Sequence, residues 1–426
     1  MDKIRIQGGG PLHGEIEISG AKNAALKVMT AALLTDQPVV LHKVPDLRDV
    51  ASLSELLTQH GTAINYDATT KTMKLHCKEI TSCVAPYDLV RKMRASILVL
   101  GPILARFGEA KVSLPGGCAI GTRPVDFHIN GLRQLGAQIE LVEGYIHAKA
   151  PNGLVGAPVH FPKVSVGATE NVMMAATLAK GTTVMTNAAR EPEIVDLGEC
   201  LIKMGAQIEG LGTDTITITG KTFLRGTEHT VVADRIEAGT FVIAGAMSGG
   251  KLTLRHCNIQ HINYLLDPLH KAGVDVTSEG DSIMVTRKNG LRGVDIMTEP
   301  YPGFPTDLQA QMMSMLTIAE GAGMVTETIF ENRFMHVPEL VRMGADITVH
   351  GSSALVRGVK KLKGADVMAT DLRASVSLVL AGLVAQGVTT VHRIYHLERG
   401  YENIVGKLAA VGAKLERIKG KDEDAD

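Results

Sequence analysis

A glycine recurs six times along this 426-residue chain, each time after a stretch of helical character and before a short strand-like run. Successive copies lie 68 to 75 residues apart, so six similar units account for nearly the whole chain. Glycine is favoured just past the end of a helix, where the backbone turns left-handed. The sequence therefore predicts six equivalent helix-to-strand turns, at Gly61, Gly136, Gly205, Gly273, Gly344 and Gly412.

Other features recur with the same period. A Leu-x-Gly turn, first seen at Leu12-His13-Gly14, precedes an alternating, strand-like run in five of the six units. An Ala- and Leu-rich stretch of helical length follows, and then β-branched residues, a loop, a second helix and the junction glycine. Each unit thus has the pattern β-α-β-α-β-β. The alternative is α/β alternation without true repetition, which the constant phase of turn and junction disfavours.

The length of the chain sets the number of domains. A chain of 426 residues is too long for one hydrophobic core, so we expect two domains of three units, with a boundary near residues 231–234. The first two strands, at residues 4–6 and 15–19, could pair with either half, because the last unit ends at the opposite terminus. The charged tail, residues 421–426, is expected to be disordered.

Composition excludes several kinds of partner. The net charge is −1, only 4% of residues are aromatic and no basic run occurs, so no nucleic-acid partner is expected. No apolar run is long enough to span a membrane, and residues 1–5 lack the pattern of a signal peptide, so no membrane partner is expected. Five cysteines without metal-ligand spacing favour a reducing cytoplasm. The 15 histidines are scattered and predict no metal site.

Polar residues stand at the start of the Ala-rich helix in each unit. Several helix N-termini aimed at one centre would form an anion site, because each carries unpaired N–H groups and a partial positive charge. A cation is disfavoured at a helix start unless it meets an anion, so the lysines and arginines there indicate such a site. The alternative is that these residues only cap their helices, and for Asp371 both interpretations stay open. The residues at these starts are Lys22 with Asn23, Arg94, residues 163–169, Glu237, Asp307, and Asp371 with Arg373.

Cys118 lies in a loop that contains three glycines and two prolines, between residues 114 and 126. Such a loop has accessible backbone N–H groups, and Arg123 would favour a thiolate or bind an anion. Most cysteines are small buried side chains, which is our interpretation of Cys200 and Cys257. A Gly-Gly-Cys loop offers nothing to bury Cys118, so the pattern indicates a reactive thiol.

Two more residues are candidates for the site. Asp307 follows Tyr301-Pro302-Gly303-Phe304-Pro305-Thr306 and stands at a helix start, where an acid is more commonly a cap. Arg399 lies in the loop of the sixth unit that corresponds to the Cys118 loop of the second. A solvated surface arginine is the alternative interpretation of Arg399.

Eight short segments, each weak alone, occur in one order and at specific intervals. They are Ser19-Gly20-Ala21-Lys22-Asn23-Ala24, Arg94-Ala95-Ser96, Pro115-Gly116-Gly117-Cys118, Arg123-Pro124-Val125-Asp126, Lys163-Val164-Ser165-Val166-Gly167-Ala168-Thr169, Gly303-Phe304-Pro305-Thr306-Asp307, Phe330-Glu331-Asn332-Arg333-Phe334 and Glu398-Arg399-Gly400-Tyr401. In this set, the chain resembles the UDP-N-acetylglucosamine 1-carboxyvinyltransferases of the enolpyruvyl transferase family, from residue 4 to about residue 417.

The resemblance implies an α/β fold of the α+β prism type. In that fold each of two domains contains three β-α-β-α-β-β units, with helices inside and sheets outside. The N-terminal strands join the second domain. The implied domains are residues 21–232, which carry the cysteine loop, and residues 1–20 with 233–420.

The resemblance also implies a reaction, the transfer of the enolpyruvyl group of phosphoenolpyruvate to the 3-hydroxyl of UDP-N-acetylglucosamine. By this resemblance, Lys22, Asn23, Arg123 and Arg399 bind phosphoenolpyruvate. Lys22 and Arg399 also belong to the catalytic set, in which Cys118 is the general acid and Asp307 the general base. The residues that would hold the UDP-sugar are Arg94, Arg123, Pro124, Val125, Asp126, Phe127, Lys163, Val164, Ser165, Val166, Asp307 and Ile329.

The implied enzyme is a cytoplasmic monomer that needs no metal or organic cofactor and opens peptidoglycan synthesis. At the site, Ala119 stands where the family pattern has a threonine, beside the thiol. Two alternatives stay open: a 3-phosphoshikimate 1-carboxyvinyltransferase, from the sister family that shares the sixfold unit, and a catalytically silent paralogue that binds UDP-sugars and regulates.

Overall fold

The computed structural model describes residues 2–115 and 125–420. Contacts between Cα atoms divide these residues into two compact units with separate hydrophobic cores. We call them the 20–232 unit, made of residues 20–115 and 125–232, and the 233–420 unit, which also includes residues 2–19.

Each repeat contributes one helix that is mostly buried, which we call a central helix. The six central helices are α1 (Lys22–Ala31), α4 (Leu100–Phe107), α6 (Val166–Ala176), α8 (Arg235–Ser248), α10 (Gln309–Leu316) and α12 (Leu372–Val384). In α6, α8 and α12 nearly every residue is buried, so these helices are enclosed on all sides. In the 233–420 unit, α8, α10 and α12 pack on one another.

The second helix of each repeat is amphipathic and covers the core from one side. These outer helices are α2 (Arg48–Gln59), α5 (Asp126–Gln134), α7 (Pro192–Lys203), α9 (Asn263–Lys271), α11 (Val337–Arg342) and α13 (Ile404–Ala410). The remaining helical segments are α3 (Tyr87–Val90) and the 3-10 helices Ala32–Leu34, Arg94–Val99, Ile259–Ile262, Thr306–Leu308 and Ile394–Arg399.

The described residues form 24 strands. They are β1 (Lys3–Gln7), β2 (His13–Glu17), β3 (Val39–His42), β4 (Ala63–Asp67), β5 (Thr72–His76), β6 (Val84–Ala85), β7 (Glu109–Ser113), β8 (Gln138–Val142), β9 (Tyr145–Lys149), β10 (Pro158–His160), β11 (Thr182–Thr186), β12 (Gln207–Glu209), β13 (Thr215–Thr219), β14 (Thr227–Thr230), β15 (Lys251–Arg255), β16 (Val274–Glu279), β17 (Ser282–Arg287), β18 (Ile296–Met297), β19 (Ala322–Thr326), β20 (Asp346–His350), β21 (Ser353–Arg357), β22 (Asp366–Met368), β23 (Val388–His392) and β24 (Lys414–Ile418).

These strands form six four-stranded sheets with one common order, of which β10-β11-β13-β12 is an example. In that sheet the first pair is parallel and the other two pairs are antiparallel. A central helix makes the parallel connection, from β10 to β11, and an outer helix leads on to β12. The predicted β-α-β-α-β-β unit and the prism-type fold, with helices inside and sheets outside, are confirmed.

Two strands do not pair in the repeat that their position in the chain suggests. Strand β2 precedes α1 but pairs in parallel with β15, and β14 precedes α8 but pairs in parallel with β3. Strand β1 lies between β23 and β24. The two N-terminal strands, whose partners the sequence left open, therefore lie in the sheets of the 233–420 unit.

The six junction glycines all have the predicted left-handed backbone, with φ between 90° and 102°. An L-residue with a side chain is strained at such an angle, so the spacing of these glycines reflects a local requirement of the backbone. The prediction of six helix-to-strand turns is confirmed.

This requirement can be measured at one junction. We expect Gly344→Ala to lower the free energy of unfolding by about 1–2 kcal/mol, because a left-handed backbone costs an L-residue about that much. The added Cβ would meet no neighbour within 4 Å, so the cost comes from the backbone alone. Gly290→Ala is the control, since that position is equally open and has no left-handed φ. Equal urea midpoints for the two variants would contradict the prediction.

Candidate active site

Lys22 is the first residue of α1, where the helix dipole disfavours a cation. Its Nζ lies 3.2 Å from Oδ2 of Asp49, an acid in the first turn of α2, and both side chains are largely buried. The Asp49 carboxylate offsets part of the repulsion between the Lys22 ammonium and the partial positive charge at the start of α1. Asn23, the next residue, is half-buried and presents its backbone carbonyl to Lys27.

The start of α6 is tied to three neighbouring elements. Ser165 caps the helix by accepting a hydrogen bond from the Ala168 N–H, and Thr169 Oγ1 accepts one from the Ala189 N–H at 3.0 Å. Asn171 accepts from the Gly101 N–H and donates to the Ile97 carbonyl. Four predicted UDP-sugar residues lead into α6. Lys163 is exposed, whereas Val164, Ser165 and Val166, the first residue of the helix, are half-buried.

Arg94 begins the 3-10 helix Arg94–Val99 and lies close to His128, a residue that sequence reasoning missed. Burial, with a contribution from the Arg94 charge, lowers the pKa of His128 to about 4, so the ring is neutral at pH 7. The ring nitrogen Nδ1 lies 3.0 Å from Nδ2 of Asn171, so a neutral ring can accept that hydrogen bond. The sequence did point to this position, because His128 follows three candidate residues: Val125, which caps α5, and Asp126 and Phe127, which begin it.

Three candidates, Cys118, Arg123 and Pro124, lie outside the described residues, as does Ala119. The structure describes the chain up to Pro115 and again from Val125. The tail at residues 421–426 is also outside the described part.

In the 233–420 unit, Asp307 lies between two buried arginines. Its Oδ1 accepts from Arg333 Nη2 at 2.8 Å, and its Oδ2 accepts from Arg373 Nη2 at 2.9 Å. The Asp307 side chain is 27% exposed, whereas the arginines are 6% and 5% exposed. Two guanidinium groups stabilise the ionised carboxylate, which remains open to solvent on one side.

Glu327 connects Asp307 with the predicted UDP-sugar residue Ile329. This buried carboxylate accepts from the hydroxyl of Thr306, the residue before Asp307, at 2.8 Å. It also accepts from the Ile329 N–H at 2.9 Å and the Phe330 N–H at 3.2 Å. Thr298 supplies a further hydroxyl donor at 2.9 Å. Glu327, which motif reasoning did not single out, therefore links Ile329 to the residue before Asp307.

Arg399 ends the 3-10 helix Ile394–Arg399 and is half-buried. Two residues on, the hydroxyl of buried Tyr401 lies 2.9 Å from Thr240 Oγ1 and 3.2 Å from Gln311 Nε2. The Arg373 guanidinium lies 5.4 Å from the centre of the Tyr401 ring, so Arg373 contacts both Asp307 and the segment that carries Arg399. Burial and the Arg399 charge lower the pKa of neighbouring His396.

Asp371 caps α12 by accepting from the Arg373 and Ala374 N–H groups. Of the two interpretations left open for this residue, helix capping is what the structure supports. The arrangement also shows why Arg373 follows Asp371 by two residues, since the cap fixes the turn from which the arginine reaches Asp307.

The described helices include none that is both long and apolar enough to cross a membrane. The four described cysteines carry free thiols: Cys77, Cys200 and Cys257 are buried and Cys83 is half-buried. Burial raises the pKa of both Cys200 and Cys257 to about 12, so each stays a thiol at neutral pH.

Comparisons with known proteins agree with this architecture. The family model described as EPSP synthase (3-phosphoshikimate 1-carboxyvinyltransferase) matches residues 6–408, and the chain belongs to the enolpyruvyl transferase family. The enolpyruvyl transferase NikO from Streptomyces tendae is 25% identical, with a TM-score of 0.86 over 99% of both chains. An EPSP synthase from Acinetobacter baumannii is 18% identical and shares the fold, with a TM-score of 0.78 over 98% of this chain and 100% of its own.

Curated relatives identify the branch of the family. A protein of Acidiphilium cryptum is 61% identical over 98% of this chain and all of its own length, and one of Granulibacter bethesdensis is 59% identical over 99% of this chain and all of its own length. Both are named UDP-N-acetylglucosamine 1-carboxyvinyltransferase. The resemblance drawn from the eight segments is confirmed.

Proposed function

We propose that this chain transfers the enolpyruvyl group of phosphoenolpyruvate to the 3-hydroxyl of UDP-N-acetylglucosamine and releases phosphate. The observation that carries the proposal is the 61% identity to a transferase of that name, over 98% of this chain and the whole length of the relative. The EPSP synthase structures share the fold at 18% identity, which supports a common architecture and leaves the acceptor to be decided by the site.

Phosphoenolpyruvate is a compact polyanion, so its site needs several cations at short range. Lys22, Arg123 and Arg399 are proposed to supply them, with Asn23 as a hydrogen-bond donor. The position of Lys22 at the N-terminus of α1 supports this role, because the helix start adds N–H donors and partial positive charge. The same cations would stabilise the charge that moves as the tetrahedral intermediate forms and collapses.

The reaction is an addition followed by an elimination. The sugar oxygen forms a bond to C2 of phosphoenolpyruvate while Cys118 delivers a proton to C3. Asp307 takes the proton of the sugar hydroxyl, and its ionised state beside Arg333 and Arg373 leaves it able to accept one. In the second step the Cys118 thiolate takes a proton back from C3, the C2–O bond to phosphate breaks, and the enol ether forms as phosphate leaves. Cys118 can also add to C2 to give a covalent phospholactoyl adduct.

The UDP-sugar is proposed to bind along the starts of the 3-10 helix at Arg94, of α5 and of α6, and beside Asp307 and Ile329. Helix starts suit a diphosphate because their N–H groups point at it. The proposed set is Arg94, Arg123, Pro124, Val125, Asp126, Phe127, Lys163, Val164, Ser165, Val166, Asp307 and Ile329.

With this activity, the chain would catalyse the first committed step of peptidoglycan synthesis, in the cytoplasm. The free thiols of the described cysteines fit a reducing compartment.

Phosphate release with two acceptors tests the proposal. With phosphoenolpyruvate present, UDP-N-acetylglucosamine should give turnover and shikimate 3-phosphate should give none. A preference for shikimate 3-phosphate would reassign the chain to the sister activity. Binding of UDP-N-acetylglucosamine without phosphate release would favour the silent paralogue.

A further inference from the structure

Lys27 is a buried lysine in the middle of the central helix α1. Every residue of α1 from Ala24 to Ala31 is buried, and the exposed fraction of Lys27 is 7%. Burying an ammonium group costs several kcal/mol unless it is paired and hydrogen-bonded. A leucine or methionine would satisfy the packing of this helix at no such cost, so the charge of Lys27 calls for an explanation.

The lysine makes two contacts that connect α1 with α6. Its Nζ donates to the backbone carbonyl of Asn23, one turn earlier, at 2.6 Å, and lies 3.4 Å from Oε1 of Glu170. Glu170 is fully buried in α6, one turn after the Ser165 cap. The lysine therefore reaches from the second turn of α1 back to the first, which carries Lys22 and Asn23.

We propose that Lys27 and Glu170 are positioning residues for phosphoenolpyruvate: Lys27, paired with Glu170 across two central helices, holds the first turn of α1 so that Lys22 and Asn23 meet the substrate. The inference rests on the function proposed above. It adds two residues to the proposed phosphoenolpyruvate site. These residues need not touch the substrate, because Lys27 acts through its hydrogen bond to the Asn23 carbonyl. The pair also connects α1, proposed to bind phosphoenolpyruvate, with α6, whose start is proposed to bind the UDP-sugar.

The surroundings of Glu170 make this pair responsive to pH. Burial raises the pKa of the Glu170 carboxyl to about 8, although Lys27 favours the charged form, and Glu193 and Glu191 at the start of α7 raise it further. Among the described residues, neither carboxyl oxygen has a hydrogen-bond partner of normal geometry. Below this pKa the carboxyl is neutral and Lys27 donates to the Asn23 carbonyl. Above pH 8 the ionised carboxylate competes with that carbonyl for Nζ.

Lys27→Met is the principal test, since methionine keeps the length and removes the charge. We expect the KM for phosphoenolpyruvate to rise about tenfold, because a small displacement of a binding group is costly, while the KM for UDP-N-acetylglucosamine changes less than about twofold. Thr30→Val is the matched control on the same helix. Its hydroxyl donates to the Leu26 carbonyl, one turn earlier, and the variant should leave both constants unchanged. Equal changes in both KM values, or no change in either, would overturn the proposal.

Glu170→Gln separates positioning from simple structural support. Glutamine imitates the neutral carboxyl, so this variant should match the unmodified chain at pH 7 and depart from it above pH 8. A free cysteine thiol titrates in the same range, with a pKa of about 8.5, but the cysteines of the two proteins are identical. Parallel pH profiles of kcat/KM for phosphoenolpyruvate from pH 6 to 9.5 would overturn the role of Glu170.

Two further measurements keep the test decisive. If Lys27→Met does not fold, the double variant Lys27→Met/Glu170→Met replaces the pair by an apolar contact, which commonly preserves stability, and the same tenfold rise in the KM for phosphoenolpyruvate is expected.

Hydrogen exchange of a peptide spanning residues 22–29 can be measured whether or not the chain is active. It should be faster in Lys27→Met and unchanged in Thr30→Val. If the unmodified chain releases no phosphate, the proposed function fails, while this exchange result still decides whether Lys27 holds the first turn of α1.

Discussion

Asp307→Asn should lower kcat by about 100- to 10,000-fold and leave the chain folded, because general acid–base catalysis contributes about that factor. Asparagine keeps the shape of the side chain and can still accept from one arginine, but it cannot take the proton of the sugar hydroxyl. Binding of UDP-N-acetylglucosamine, measured by calorimetry, should weaken far less than kcat falls. Steady-state phosphate release measures the loss.

Asp346→Asn is the control for this variant. Asp346 also pairs with an arginine, Arg357, at 3.2 Å, but this pair is exposed on a β-hairpin, where ion pairs contribute little. The control should have the kcat of the unmodified chain. A near-normal kcat for Asp307→Asn would mean that the carboxylate only holds Arg333 and Arg373 in place, and the base would have to be sought elsewhere.

Cys118 should be the one cysteine that a small phosphonate epoxide alkylates, and the sugar nucleotide should accelerate the reaction. The phosphonate would bind among Lys22, Arg123 and Arg399 and hold the epoxide carbon against the sulfur, which makes a bimolecular reaction effectively unimolecular. Effective concentrations gained in this way are large, so we expect labelling at least about 100 times faster at Cys118 than at any other cysteine.

The structure explains why the other described cysteines should not react. Cys77, Cys200 and Cys257 are buried, and the raised pKa of Cys200 and Cys257 removes the reactive thiolate. Half-buried Cys83 is the internal standard for simple accessibility. Peptide mapping after epoxide treatment, with and without UDP-N-acetylglucosamine, measures the selectivity. Labelling that is spread over Cys83 and Cys118 alike would show that Cys118 is only an accessible thiol.

Substitutions of Cys118 test its role as an acid. Cys118→Ser should abolish turnover, because a hydroxyl is a far weaker acid than a thiol. Cys118→Asp should retain part of it, since a carboxyl group can donate a proton. Equal activity of the serine and aspartate variants would contradict the assignment of Cys118 as the proton donor.

The sequence alone predicted the repeat and the unit because the signals are local. A junction glycine reports a left-handed backbone at one residue, and all six have it. The helix starts could likewise be found from capping and apolar runs, so Lys22, Ser165 and Asp371 fall at helix starts or caps in the structure. Family motifs then identified the branch, because eight weak segments in one order are specific together.

Local sequence pattern could not predict that β2 pairs with β15 or that β14 pairs with β3. The alternating pattern of a strand shows which face is buried and does not identify its partner strand. The environment of Asp307 is similar. Arg333 and Arg373 lie 26 and 66 residues away in sequence, on a loop and on α12, and only the tertiary fold brings both to one carboxylate. Local sequence therefore determined which turns and helix starts exist. The tertiary structure decided which charges meet, because an ion pair such as Arg373 with Asp307 depends on which distant segments pack together.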